Sequence, residues 1–132
     1  MMRYAGTTLM VNDVEAAVSF YSKAFGLEPL FADPDGTFTV ISNGATGSTT
    51  EAGVLLTVEH WSKIDDFAAP GPTNGFRIGF DVEDAEAAYK RAIDAGATSA
   101  KEPTVRPWGQ KIAAVFDPNG VIVELAEPTE YK

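Results

Sequence analysis

Apolar and polar residues alternate over 4–11 and again over 76–82, the period-2 pattern of half-buried strands. Each run is followed by apolar residues three and four apart. In the first block these are Val14, Ala17, Val18, Tyr21 and Phe25; in the second they are Ala85, Ala88, Tyr89 and Ala92. That spacing predicts a helix with one apolar face. Asp13 and Asp84 stand where an N-cap is needed, and Glu15 and Glu86 place negative charge in the first turn, where the helix dipole favours it. Gly26 and Gly96 suit left-handed C-caps. Three strand signals follow each helix, at 28–32, 37–42 and 53–59, then at 98–101, 111–116 and 121–126. The sequences Asp33-Pro34-Asp35-Gly36 and Asp117-Pro118-Asn119-Gly120 predict tight turns between strands.

The two halves repeat. Residues 11–18 match residues 82–89 at five of eight positions, with an offset of 71. Residues 43–52 form a Gly/Ser/Thr-rich loop without an apolar anchor, and residues 68–74 read as a linker. The expectation is an α+β domain spanning 1–132, made of two βαβββ modules at about 1–67 and 75–132. Roughly 60 residues make a marginal core, so the modules are expected to depend on each other.

Composition narrows the function classes. The 132-residue chain has a net charge of −9, and its sole basic crowding is Lys90-Arg91. Nucleic acids and anionic membranes need a basic patch, so neither is an expected partner. There is no cysteine, which excludes disulfides, thiolate metal sites and cysteine nucleophiles and fits a reducing cytoplasm. No run of 18 apolar residues is present, and the first six residues carry no apolar signal core; a cytoplasmic location is expected. No Ser-His-Asp arrangement, phosphate-cradling glycine loop or dinucleotide fingerprint is present.

The two βαβββ modules, Phe20-Tyr21 and Phe25-Gly26 in the Asp-capped helix, Trp108-Gly109-Gln110, and Asp117-Pro118-Asn119-Gly120 followed by Glu124 together resemble the vicinal oxygen chelate superfamily. This superfamily holds glyoxalase I, extradiol dioxygenases, fosfomycin-resistance enzymes and bleomycin-resistance binding proteins. The Trp-Gly-Gln and Asp-Pro-Asn-Gly segments look most like the bleomycin-resistance branch. The resemblance implies a cup-shaped mixed sheet around a cavity, often completed by a second chain, so a homodimer is expected. Fold alone does not assign function.

Metal-dependent members of the superfamily carry ligands on the first and last strands of each module. The resemblance puts those positions at Gly6, within a residue or two of Leu56, at Arg77 and at Glu124. Gly6 and Leu56 have no donor, and Arg77 is a permanent cation. A divalent catalytic site needs about three protein ligands, so no cofactor and no metal is expected; Glu124 would be the ligand if one bound. A variant set of Glu59, His60 and Glu124 would need Glu59 and His60 to point the same way, whereas strand neighbours face opposite sides. Arg77 and Glu124 are expected to form a buried ion pair on one face. Such a pair either helps specify the fold or offers a polar handle for a ligand.

His60, the sole histidine, is either a polar strand-end residue or a base or stacking group at a cavity mouth. Of the aromatics Phe38, Trp61, Phe76, Phe80, Trp108 and Phe116, most are expected in the core. Trp108 sits in a loop before a strand, and the resemblance places that loop at the ligand cavity. The expected ligand contacts are therefore Trp108, Arg77, Glu124, Leu56, Phe38, Trp61 and His60, with no catalytic residue. The resulting expectation is a metal-independent small-molecule binding protein that sequesters a flat, partly aromatic, antibiotic-like ligand. The alternatives are a metal-dependent lyase or dioxygenase of the glyoxalase class and an interaction module whose cavity is filled by side chains.

Overall fold

The computed structural model describes residues 2, 4, 6–42, 55–64, 69–72 and 75–128. The loop at 43–52, the start of the strand predicted at 53–59, and parts of the 68–74 linker lie outside the described residues. The chain divides into two compact units, 1–22 with 26–71, and 23–25 with 72–132.

In the first unit, β1 (Gly6–Val11) leads into α1 (Val14–Phe25), followed by β2 (Glu28–Ala32), β3 (Phe38–Ser42) and β4 (Leu55–His60). The sheet order is β1-β4-β3-β2, with β1 and β4 parallel and the other pairs antiparallel. The second unit repeats this plan with β5 (Arg77–Asp81), α2 (Ala85–Asp94), β6 (Thr98–Val105), β7 (Lys111–Phe116) and β8 (Ile122–Ala126), in the order β5-β8-β7-β6. Both βαβββ modules read from the sequence are therefore present.

The helices start where the aspartates place them. Asp13 and Asp84, both extended, accept hydrogen bonds from the backbone N–H groups of Ala16 and Ala87. Gly26 ends α1 in the left-handed region at φ 72°. The second helix differs from the expectation. Its C-cap is Ala95 in a right-handed conformation, and the left-handed residue, Gly96, comes one position later. Ala95 N–H bonds to Arg91 and Ala92 carbonyls, which extends the last turn before the chain reverses.

The sheets obey the alternation rule. In the second unit Val115, Val123 and Leu125 lie in register on one face and are fully buried. Helix α2 packs over β6, β7 and β8, and Ala85 and Ala92 are sealed at 0% exposure. In the first unit Leu9, Ile41 and Val58 form the equivalent stripe. Strand β6 runs four residues beyond the sequence expectation and includes Pro103. An edge strand tolerates the missing N–H, and register shifts between Ser99 and Lys101 and between Lys101 and Thr104 absorb the misfit.

The core is more aliphatic than expected. Among the described residues the buried aromatics are Phe20 and Tyr21 of α1, in an edge-to-face pair with ring centroids 5.3 Å apart. Phe38, Trp61, Phe80 and Phe116 are only half-buried, and Phe76 and Trp108 are exposed. Ala and Val dominate the buried positions of α2, β7 and β8. Phe80 instead stacks on Phe25, with centroids 4.8 Å apart.

Candidate functional site

The second sheet brings Arg77 and Glu124 together. Both lie on the face opposite the buried stripe. Arg77 is the ladder partner of Ile122, and Glu124 stands two positions further along β8, opposite Gly79 on one side and Ala114 on the other. Residues two apart on a strand share a face. Arg77 reaches along the parallel pair, and its Nε lies 3.4 Å from Glu124 Oε2. The expected pairing is present and the expected burial is not. The Arg77 side chain is 66% exposed, against 21% for Glu124. The reason is position: β5 is the outer strand of its sheet, so a long side chain at its start extends into water.

The register also narrows the fourth family position, expected within a residue or two of Leu56. Gly6 pairs with Leu55 as Arg77 pairs with Ile122, so the counterpart of Glu124 is Thr57, opposite Thr8. Leu56 lies one residue earlier, on the face it shares with Ile41 and Val58. A one-residue shift inverts the face, and the loop before β4 gives no sequence anchor for the count. Gly79, Thr57 and Ala114 were not among the expected contacts. Gly79 carried only the general signal of an isolated glycine in a strand pattern, and neither a bulge nor a close approach is found there.

Phe38 lies on the same face as Thr57, as the partner of Glu59, and packs beside Phe31, with centroids 5.6 Å apart. His60 and Trp61 close the end of β4. His60 Nδ1 accepts from the Ser62 backbone N–H at 3.2 Å, and its ring lies parallel to Trp61, with centroids 5.9 Å apart. Trp61 Nε1 donates to Asn12 Oδ1 at 3.0 Å, tying this turn to the end of β1. His60 thus acts as a local acceptor in a strand-ending turn.

Trp108 sits at the tip of the β6–β7 hairpin and is 61% exposed. It is not loose. Its Nε1 donates to Gln110 Oε1 at 2.9 Å, and Gln110 Nε2 donates to the Glu127 carbonyl at 2.7 Å. Gly109 takes φ 92°, which a β-carbon would oppose, and its N–H bonds to the Arg106 carbonyl. The indole is held by its one polar atom and stays largely exposed. The tip lies beyond Lys111, three residues along β7 from the partner of Glu124 and at the end of the sheet away from Arg77. At ~3.3 Å per residue that is about 10 Å along the strand.

The first unit holds Gly6 and Thr57 at its two family positions, and the second holds Arg77 and Glu124, whose carboxylate is already engaged by a guanidinium; neither pair by itself offers a metal a set of ligands. A side chain at Gly6 would not restore the set, since its Cβ would overlap the Leu55 carbonyl oxygen. Among the described residues no three His, Cys, Asp or Glu side chains form a group that could hold a metal ion.

Two four-stranded mixed sheets, each a parallel pair extended by an antiparallel meander, with a capped helix after each first strand, define a paired-module α+β protein. The chain belongs to the Glyoxalase/Bleomycin resistance protein/Dioxygenase superfamily, whose family model matches residues 3–125. A lactoylglutathione lyase from Escherichia coli O157:H7 is 30% identical over 129 residues, covering 96% of this chain and 93% of that protein. A solved superfamily member from Sphaerobacter thermophilus shares 27% identity and superposes with a TM-score of 0.69 over 97% of this chain and 98% of its own. A glyoxalase-related enzyme from Fulvimarina pelagi shares the fold at 21% identity, with a TM-score of 0.77 over 97% and 89%. Among the described residues no helix is long and apolar enough to cross a membrane.

Proposed function

We propose that this chain is a metal-independent small-molecule binding protein that sequesters a flat, partly aromatic ligand of antibiotic type. The observation that carries the reading is the Arg77–Glu124 bridge at positions where metal-dependent relatives present ligands. A cation is already supplied there by the protein, so the site recognises charge and hydrogen bonds instead of polarising a substrate through a metal. Exposed Trp108, in the same unit, offers a stacking surface held by its hydrogen bond to Gln110. Binding alone protects a target from such a compound; no bond is broken. The reading includes a cytoplasmic homodimer, because each half has more apolar sheet than ~65 residues readily cover. A 14.1 kDa particle in light scattering at micromolar concentration would remove the dimer.

The test combines elemental analysis with a thermal-shift screen of aromatic antibiotics. Metal is expected below stoichiometric amounts. A ligand at 100 times its Kd stabilises by ~2.7 kcal/mol, a shift of several degrees. Stoichiometric zinc, nickel, manganese or iron lost in Glu124→Ala would overturn the reading. The second reading is a lyase, favoured by the 30% identical lactoylglutathione lyase. It predicts metal-stimulated turnover in a lactoylglutathione lyase assay.

A further inference from the structure

Gly79 is a glycine that the fold does not require. Its backbone is outside the left-handed region, and a Cβ built there meets no atom within 4 Å. The repeat supplies an internal control. At the same register the first unit carries Thr8, Thr57 and Val40, whereas the second carries Gly79, Glu124 and Ala114. This fold thus accepts β-branched side chains along that row, and in the second unit both neighbours of Glu124 are cut back to the smallest residues. The next row holds Arg77, Ile122 and Phe116, so the opening is bordered by a cation and by half-buried apolar groups.

Among the described residues Arg77 and Glu124 have no partner but each other. A guanidinium is donor-only with five N–H groups, and a carboxylate is acceptor-only. Arg77 uses Nε at 3.4 Å, which leaves donors on a largely exposed side chain beside the free acceptor capacity of Glu124.

We propose, resting on the binding role above, that Arg77 and Glu124 together read a neutral ligand edge that carries a carbonyl next to an N–H, as in a carboxamide, lactam or ureide. The carbonyl accepts from Arg77 while the N–H donates to Glu124, and the edge lies in the space left over Gly79 and Ala114. An anionic ligand gains Arg77 and meets the Glu124 carboxylate; a cationic one gains Glu124 and meets the guanidinium. Only the mixed edge satisfies both partners without leaving a charge unpaired.

The experiment titrates the full chain with benzamide, benzoate and benzamidine, which share one ring and differ in that edge, and follows backbone amide shifts by NMR. Benzamide is expected to bind at least tenfold more tightly than the other two. Arg77→Met should move the preference to benzamidine, Glu124→Gln should move it to benzoate, and Gly79→Val should weaken benzamide tenfold or more while its melting temperature shows the fold intact. Benzoate or benzamidine matching benzamide on the unmodified chain, or a preference unmoved by either charge variant, overturns the inference and leaves the binding role standing. No shift with any of the three probes at millimolar concentration likewise overturns the inference, and the thermal-shift screen of aromatic antibiotics then decides the binding role by itself.

Discussion

Asp13 and Asp84, 71 residues apart, do the same work with nearly the same geometry. Each is extended, at φ −134° and −137°, and each Oδ1 accepts from the N–H three residues on, at 2.9 and 3.1 Å. Asp13→Ala and Asp84→Ala should each cost ~1 kcal/mol. Helix α2 has a second tie, because Glu127 Oε2 accepts the Ala85 N–H at 2.9 Å. Asp84→Ala is therefore expected to show the smaller loss. Urea titrations of both variants decide it, and equal midpoints with the unmodified chain would refute the capping account.

Two strand glycines should respond in opposite directions. At Gly6 a methyl group overlaps the Leu55 carbonyl oxygen, so Gly6→Ala must shift backbone and is expected to destabilise by ~1–3 kcal/mol. At Gly79 the methyl enters open space, so Gly79→Ala should stabilise by ~0.4–1 kcal/mol through the unfolded chain. Thermal melts of the two variants side by side are the check.

The exposure of Arg77 sets the cost of breaking its pair. A fully buried guanidinium left alone would cost ~3 kcal/mol or more. Water already reaches Arg77, so Glu124→Gln should lower stability by less than ~1 kcal/mol. A larger loss in denaturant titration would mean that Arg77 is enclosed in solution.

Lys90 and Asp94 form an i,i+4 bridge at 2.8 Å on α2. The hydrogen bond to Asp94, with the attraction of its charge, raises the Lys90 pKa above the usual lysine value. The folded-state value exceeds the unfolded one, so the stabilisation is complete below the ordinary lysine pKa and fades as pH climbs through the raised value. Lys precedes Asp here, the less favourable order against the helix dipole, and both groups face water, so the effect is small. Circular dichroism melts between pH 8 and 12 should show an alkaline loss that is shallower in Lys90→Met. Identical slopes would discount the bridge.

Trp108 should separate binding from stability. Being exposed, Trp108→Ala is expected to change stability by no more than ~0.5 kcal/mol. Binding of flat aromatic compounds should fall about tenfold, and Gln110→Ala, which frees the indole, should fall partway. Tryptophan fluorescence of the unmodified chain and both variants reads the difference, and unchanged affinity in Trp108→Ala removes the indole from the site.

Much of the fold was legible because its signals are local. The Asp caps, Gly26 and the two Asp-Pro-x-Gly turns sit within a few residues of what they control. The site was legible only as far as one residue could be counted from a landmark. Glu124 follows its turn by four residues and Arg77 precedes Val82 by five, and the two do meet. The fourth position was counted across a loop without landmarks and could be placed only within a residue or two of Leu56; the β1–β4 register narrows it to Thr57. The exposure of Arg77 was illegible for another reason. It depends on β5 being the outer strand, which follows from the sheet order and not from the segment itself.

Along β5 and β8 the residues that seal the core and those that meet solvent are interleaved one for one. Ile78, Val123 and Leu125 alternate with Arg77, Gly79 and Glu124. Packing and solvent exposure thus fall on alternate residues of the same strands. Drift at alternate positions can retune what is recognised while the packing that keeps the chain folded is left untouched. A one-residue insertion in either strand has the opposite outcome, since it exchanges the two sets at a stroke. New specificity in this lineage should therefore accumulate by substitution within these strands, and length changes should be confined to the loops.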